Sequence, residues 1–266
     1  MSELLTIRGR LSRLLRMLLG ALPVLLLLGL WFLLTRGAAQ DRILSPLILP
    51  SPREVWQSLH SLWFEAELSR SIVASTGRVV LGFCCAVLLA FPLGVSMGAF
   101  PLFRGLGEPL ATFASYLPIP ALVPLTMSLF GIEETQKVMF LALAFFIFLL
   151  PMIVKAVDDV DTIFLQTAYT LGARRRTTVC RVLLPIALPR IFHAMRLGFG
   201  IGWSYIILAE MVAADRGLGS IIIIAQRRGP RGHIYLVLLV IVLIAYLTDR
   251  LWAWAIRRLF PYLEAR

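Results

Sequence analysis

Apolar residues in this chain gather into long runs, not short alternations. Residues 17–34 (MLLGALPVLLLLGLWFLL) are almost wholly apolar and long enough to cross a bilayer as a helix. Further runs of spanning length lie near 72–99, 109–130, 137–155, 192–214 and 234–256. Six spans of about 20 residues use ~120 residues and leave chain for loops and one cytoplasmic element. The pattern predicts an all-α polytopic membrane protein of about six spans. The second run is rich in Gly, Ala and Ser, which lets helices approach closely. The third contains LPIPALVP. Pro118, Pro120 and Pro124 cannot all sit in an undisturbed helix, so this span should be kinked or broken, with its backbone buried or lining a cavity.

The segments between the runs set the organisation. Residues 1–71 read as an N-terminal tail, a first span and an outer segment. Residues 72–266 read as a core with a cytoplasmic loop at 156–191. In the outer segment, prolines give way to Glu54–His60, which suits a short interfacial helix anchored by Trp56 and Trp63. The basic start and Gly37-Ala38-Ala39 resemble a signal peptide, but the apolar run exceeds the usual h-region of about 7–15 residues and more spans follow. An uncleaved first span with a cytoplasmic N-terminus fits better.

Composition agrees with this reading. Apolar residues make up 59% of the 266 and charged ones 15%, with mean hydropathy +0.85. That is too little charge to cover a soluble domain of this size, and too apolar for disorder. The net charge of +11 flanks apolar runs and builds no basic domain, so it points to membrane orientation and not to nucleic acid. Arg8, Arg10, Arg13 and Arg16, then Arg174, Arg175, Arg176, Arg181 and Arg190, then Arg257 and Arg258 all fall on the side expected to be cytoplasmic. Arg216, Arg227, Arg228 and Arg231 do not: the span count places them outside, against the positive-inside rule. Arg227 and Arg228 read first as a solvated rim, or as an anion or partner contact. Cys84, Cys85 and Cys180, and His60, His193 and His233, have no ligand spacing, so no metal is expected.

Residues 158–172 (DDVDTIFLQTAYTLG) specify a small helix. Val160, Ile163, Phe164, Ala168 and Leu171 fall on one face. Asp158, Asp159 and Asp161 crowd its positive end and Arg174–Arg176 its negative end, while Gly172 sits at a C-terminal cap. A second short helix should then run to Pro185 and Pro189. Periodicity alone leaves an ordinary interfacial loop helix and a docking helix equally open.

Spacing adds a resemblance. Gln166-Thr167-Ala168, three residues, Gly172, nine residues, then Val182-Leu183-Leu184-Pro185 resembles the EAA signature of ABC importer permeases. ILPSPREVW, RVVLGF, LPIPALVPL, FGIEETQKV and ILAEMVAADRGLG follow, in order, the pattern of the nitrate/sulfonate/taurine-type, binding-protein-dependent permeases. The resemblance spans nearly the whole chain. It implies a type I ABC importer transmembrane domain in the inner membrane, importing an oxyanion or organic sulfonate such as nitrate, taurine, an alkanesulfonate or bicarbonate. It implies two ATPase subunits that bind ATP and Mg, a second permease copy (by default an identical one), an external solute-binding protein, surrounding lipid, and no cofactor in this chain. The coupling surface so implied is Ile163, Phe164, Gln166, Thr167, Ala168, Leu171, Gly172, Ala173, Val182, Leu184 and Pro185. The departures are Gln166 for the signature Glu and Thr167 for its first Ala.

A P-loop needs Gly-x4-Gly-Lys-Ser/Thr, whereas Lys137 and Lys155, the only lysines, precede Val138 and Ala156. The chain is therefore not expected to be an enzyme. Candidate pathway or gate residues are the ionisable Arg78 and Glu210 near spans, Pro118, Pro120 and Pro124, Trp203 and Ser204, and Gly217 and Gly219, which open a short re-entrant or outer helix. For Glu210 a polar clasp fixing helix packing is at least an equal reading. A stand-alone channel or secondary transporter is a second function class. An integral membrane enzyme is a third, but Glu133-Glu134 and Asp158-Asp159-Asp161 have no His beside them in sequence.

Overall fold

The computed structural model describes residues 12–37, 42–213, 215–229 and 231–263, without the side chains of 213, 228 and 263. Arg8, Arg10, Ala38, Ala39 and the Arg228 side chain lie outside the described residues. Those that are described form helices and loops, with no strand. The order is α1 (Arg13–Leu34), α2 (Pro52–Phe64), α3 (Leu68–Ala99), α4 (Pro101–Ser115), α5 (Leu122–Phe130), α6 (Glu134–Asp158), α7 (Thr162–Thr170), α8 (Arg175–Thr178), α9 (Leu184–Ala213), α10 (Leu218–Arg228) and α11 (Arg231–Leu259). Five helices are long and apolar enough to cross a membrane, and a bent pair makes up to six. That matches the span count read from the pattern.

The core is α3 against α6 and α6 against α9. Small residues make the first contact possible. A β-carbon at Gly82 would stand 2.7 Å from Leu141 Cβ, and one at Gly94 2.7 Å from Ile153 Cγ2. Close backbone approach of this kind replaces the hydrophobic driving force that lipid cannot supply. Phe83 fills the centre, edge-on to Phe145 and Phe199 at 5.3 and 5.1 Å between ring centroids, with Trp252 of α11 at 5.7 Å.

Outside this core, α1 buries none of its residues, and Trp31 ties it to the chain by donating from Nε1 to the Pro50 carbonyl (2.9 Å). The expected interfacial helix is α2. Pro52 occupies its first turn, and Ser51 and Glu54 form a reciprocal capping box. It packs on α11, presenting Val55 and Leu62 inward and leaving Trp56 and Trp63 exposed.

The third span is broken, as its prolines require. Residues Ile119–Ala121 form a 3-10 turn, and α4 meets the following helix at 91°. One expectation fails. Pro185 and Pro189 do not end a helix: a single apolar helix runs from Arg175 to Val212. Val179–Leu183 widen into a π turn, with the Leu184 N–H donating to the Val179 carbonyl. The wider turn makes room where the ring of Pro185 would meet the preceding carbonyls, and a buried membrane helix tolerates the lost N–H.

Candidate functional site

Two sites stand at opposite ends of the bundle. The first gathers α3, α6, α9 and the start of α10. Arg78, 5% exposed, lies mid-helix in α3. Its Nε and Nη2 donate to both oxygens of Glu134 at 2.6 Å, a bidentate fork. Its Nη1 donates to Glu210 Oε1 (2.6 Å) and to the Arg216 carbonyl (2.7 Å). Glu210, 1% exposed, also accepts from Ser75 Oγ (2.7 Å) and from the Gly219 N–H (2.8 Å). Ser75 Oγ in turn accepts from the Leu218 N–H at 2.9 Å. Lys137 Nζ stands 3.5 Å from Glu134 Oε1. Each buried charge thus meets an opposite charge and hydrogen bonds, the condition under which burial is tolerated.

Backbone geometry serves this cluster. Gly217 takes φ +140 and caps α10, and a β-carbon at Gly219 would fall 2.8 Å from Glu210 Cβ and 2.9 Å from the Ile207 carbonyl. Only glycine lets the loop come this near the carboxylate. Four sequence candidates, Arg78, Glu210, Gly217 and Gly219, therefore meet at one point. Ser75, Glu134 and Lys137 complete it and were not singled out. Their one sequence signal is spacing: Ser75 precedes Arg78 by three residues, as Glu134 precedes Lys137.

Two cavities flank the clasp. One, of about 410 Å³, is lined by Glu133, Glu134, Lys137, Glu210, Asp215 and Arg227. The other, of about 440 Å³, is lined by Glu65, Glu67, Asp215, Arg216 and His233 among others. Arg216 Nε lies 3.5 Å from Glu67 Oε2, so carboxylates accompany the arginines that break the positive-inside pattern. His233 is within 2.8 Å of Ser61 Oγ, joining α2 to α11.

The remaining pathway candidates are elsewhere. Trp203 is buried, and its Nε1 donates to Thr248 Oγ1 of α11 (3.2 Å), while Ser204 is exposed. Pro118, Pro120 and Pro124 are exposed at the α4–α5 break.

The second site is α7. Asp161 caps it, its side chain accepting from the Ile163 N–H (3.0 Å). At the other end Gly172, at φ +79, closes a Schellman motif: its N–H donates to the Tyr169 carbonyl and that of Ala173 to the Ala168 carbonyl, both 2.9 Å. Arg190 Nη1 holds the Asp159 carbonyl before the helix, and Arg104 pairs with Asp158. The apolar face expected to act as one is divided. Val160 and Ala168 are buried, whereas Ile163 (58%), Phe164 (47%) and Leu171 (82%) are exposed beside Gln166 and Thr167. Ala173, Val182 and Leu184 are half-buried, and Pro185 is exposed.

Residues 82–261 match the model of the binding-protein-dependent transport system inner membrane component family. The chain belongs to that family. It is an ABC importer permease of the nitrate/sulfonate/taurine type, a multi-pass protein of the inner membrane. The taurine transport system permease protein TauC of Escherichia coli (strain K12) is 34% identical over 96% of this chain and 92% of its own length. The nitrate import permease protein NrtB of Synechococcus elongatus is 26% identical, over 90% and 88% respectively. Among solved structures, a chain of the MetNI methionine ABC transporter in an inward-facing conformation superposes with a TM-score of 0.63 at 20% identity, over 76% of this chain and 98% of that one. That likeness establishes the fold, the transmembrane domain of a type I ABC importer. Permeases of this family work with a separate ATPase and a solute-binding protein.

Proposed function

We propose that this permease carries a small oxyanion or organic sulfonate inward by alternating access, driven by ATP hydrolysed in two partner subunits. Two identical copies would enclose the path, since a closed two-fold pair is the simplest way to surround it. Both termini would face the cytoplasm. The exposed trio Ile163, Phe164 and Leu171 on α7 carries the reading. A doubly capped helix this short, tethered by Arg190 and still presenting large apolar side chains, is suited to dock a protein and pass on its movement. Gln166, Thr167, Gly172 and Ala173 border that surface, Ala168 is buried beneath it, and Val182, Leu184 and Pro185 lie in and just after the π turn on which α7 packs.

At the far end the Arg78–Glu210 clasp would act as a latch of the outer gate, because it ties the α9–α10 turn to α3 and α6. ATP-driven closure of the partners would draw two α7 helices together and bias the bundle between inward-open and outward-open states. The solute reading leans on the relatives, whose names specify taurine and nitrate. The test is to purify the chain with its ATPase and binding protein, identify ligand retained by the binding protein by native mass spectrometry, and measure uptake of taurine and nitrate into vesicles. Uptake that needs both partners and ATP is the expected result. Uptake without the ATPase would instead favour a stand-alone channel or secondary transporter.

A further inference from the structure

We infer that α4 presents a polar stripe, Arg104, Glu108, Thr112 and Ser115, to a water-filled passage in the inner half of the membrane, and that Lys155 of α6 supplies the cation that draws an anionic solute group along it. The inference rests on the transport reading above and adds residues to it.

The helix is two-sided. Arg104, Glu108, Thr112 and Ser115 recur at i, i+4, i+8 and i+11. Leu102, Leu106, Leu110 and Phe113 recur at the same intervals, each two residues earlier and so about 200° round the helix. The apolar set is exposed at 68–75%, as suits lipid or another apolar surface. The polar set, however, carries Glu108 with its side chain 65% exposed, and an ionised side chain facing hydrocarbon costs about 2.5–3.5 kcal/mol even on the most lenient scale. Water is its natural neighbour.

A cavity of about 240 Å³ lies on that side, between α4 and α6, lined by Arg104, Glu108, Thr112, Ser115, Lys155 and Asp158 among others. From Arg104 to Ser115 the stripe covers roughly 16 Å of helix, more than half the thickness of a bilayer core. Its Arg104 end is fixed beside the α7 junction by the pair with Asp158.

The charges are unevenly committed. Arg104 is shared by Asp158 and, at 4.0 Å, by Glu108. The Lys155 ammonium makes no ion pair among the described residues. With the Thr112 hydroxyl farther along, and the Ser115 hydroxyl donated to the Ala111 carbonyl (2.8 Å) with its lone pairs left to water, an anion leaving the bundle meets an unpaired ammonium and a neutral donor in one cavity that is balanced in net charge. Such an arrangement passes an anion without trapping it.

Thiol labelling of the whole complex in inside-out vesicles tests this, with Cys84, Cys85 and Cys180 first replaced by serine. Single cysteines are placed in the polar stripe (Thr112→Cys, Ser115→Cys) and in the apolar one (Leu110→Cys, Phe113→Cys). Two impermeant methanethiosulfonates are the probes, one bearing a sulfonate and one a quaternary ammonium. Polar-stripe cysteines should react roughly tenfold faster than apolar-stripe ones, the anionic probe should be favoured, and Lys155→Gln should remove that preference while Lys155→Arg keeps it. After reconstitution of the labelled complex in the orientation that imports, sulfonate attached at Ser115→Cys should also block uptake. Equal rates on the two stripes, a preference unmoved by Lys155→Gln, or full uptake after labelling would each overturn the inference. A complex that fails to import before any reagent is added overturns the transport reading alone, and is told apart because the labelling contrast is read without ATP.

Discussion

The two ends of this permease handle polarity in opposite ways. At the clasp, four ionisable side chains sit in or beside a membrane bundle and three of them are buried. At α7, outside the bundle, large apolar side chains stand in the open. Each arrangement is costly unless something offsets it. The clasp is complete within one chain: Arg78 and Glu210 find partners on α3, α6, α9 and α10. The exposed face of α7 has no such cover among the described residues. A site satisfied internally governs stability and the motion of its own helices, whereas one left unsatisfied is suited to receive a partner. Substitutions at the two ends should therefore fail in different assays.

The largest effect is expected at the clasp. Removing one member of a buried ion pair strands the other, at about 3–5 kcal/mol. Glu210→Ala should lower the thermal unfolding midpoint of the detergent-solubilised permease and reduce its yield. Arg78→Met combined with Glu210→Leu should recover part of that loss, because no lone charge then remains between them. A double-mutant cycle on thermal unfolding measures the coupling. Independent, additive losses at the two positions would contradict the geometry.

Next comes α7. Phe164→Asp should leave the midpoint almost unmoved, within about 0.5 kcal/mol, as exposed positions generally do. Capture of the ATPase should nonetheless drop about tenfold or more, and uptake with it; tenfold in affinity corresponds to 1.4 kcal/mol. Gly172 separates backbone from surface. No atom lies within 4 Å of a β-carbon built there, so Gly172→Ala meets only the left-handed conformation, at roughly 1–2 kcal/mol. Gly172→Trp adds bulk to the docking face and should uncouple transport while the protein stays in the membrane. Equal behaviour of the two variants would show that the backbone alone matters.

The sequence spoke most clearly where one dominant force acts. Long apolar runs announced the spans, because lipid demands internal hydrogen bonding over a fixed thickness. Pro118 and Pro120 announced the break, and Gly172 the end of α7, since each imposes a backbone constraint of its own. The clasp was half legible. Arg78 and Glu210 stood out as charges within spans, but Glu134 stood out only as half of an acidic pair without a His beside it. Its pairing with Arg78 depends on how α3 and α6 lie together, which local pattern does not carry. Pro185 misled for the complementary reason: its rule as a helix stop assumes an ordinary α turn, and the π turn at Val179–Leu183 changes the register around it.

A smaller effect is expected from Gln166, the departure from the signature. Gln166 is exposed, so restoring the carboxylate with Gln166→Glu adds at most a solvent-screened ion pair with a docked partner, about 0.2–1 kcal/mol. Affinity for the ATPase should rise no more than about fivefold, and the gain should fade with added salt. A much larger change would mean that the docked interface buries this position. Comparing it with Phe164→Asp then ranks charge against apolar fit on the same helix.

The smallest effect on partner binding belongs to α2, where an ion pair and a helix cap share one carboxylate. Glu54 is held down to about 2, first by the hydrogen bond from Arg42, against the opposing effect of burial, and further by Ser51 at the cap. Arg42 Nη1 donates to Oε2 at 3.0 Å, and the Ser51 N–H donates to the same oxygen at 2.8 Å. Because the folded pKa is depressed, the stabilisation is fully present above the unfolded value of about 4.3 and is lost as pH falls toward 2. Hydrogen exchange of the first-turn amides of α2 should be unchanged in protection from pH 8 to 5, after correction for intrinsic rates, and should lose protection below about 4. Glu54→Ala should produce the same loosening at neutral pH, at about 1 kcal/mol for a lost cap. Neither change should alter ATPase capture, which reads α7, or the clasp's unfolding midpoint beyond that small amount. A loosening already present at pH 6 would mean that the Glu54 carboxyl is not held down in the fold, against both the Arg42 and the Ser51 contacts.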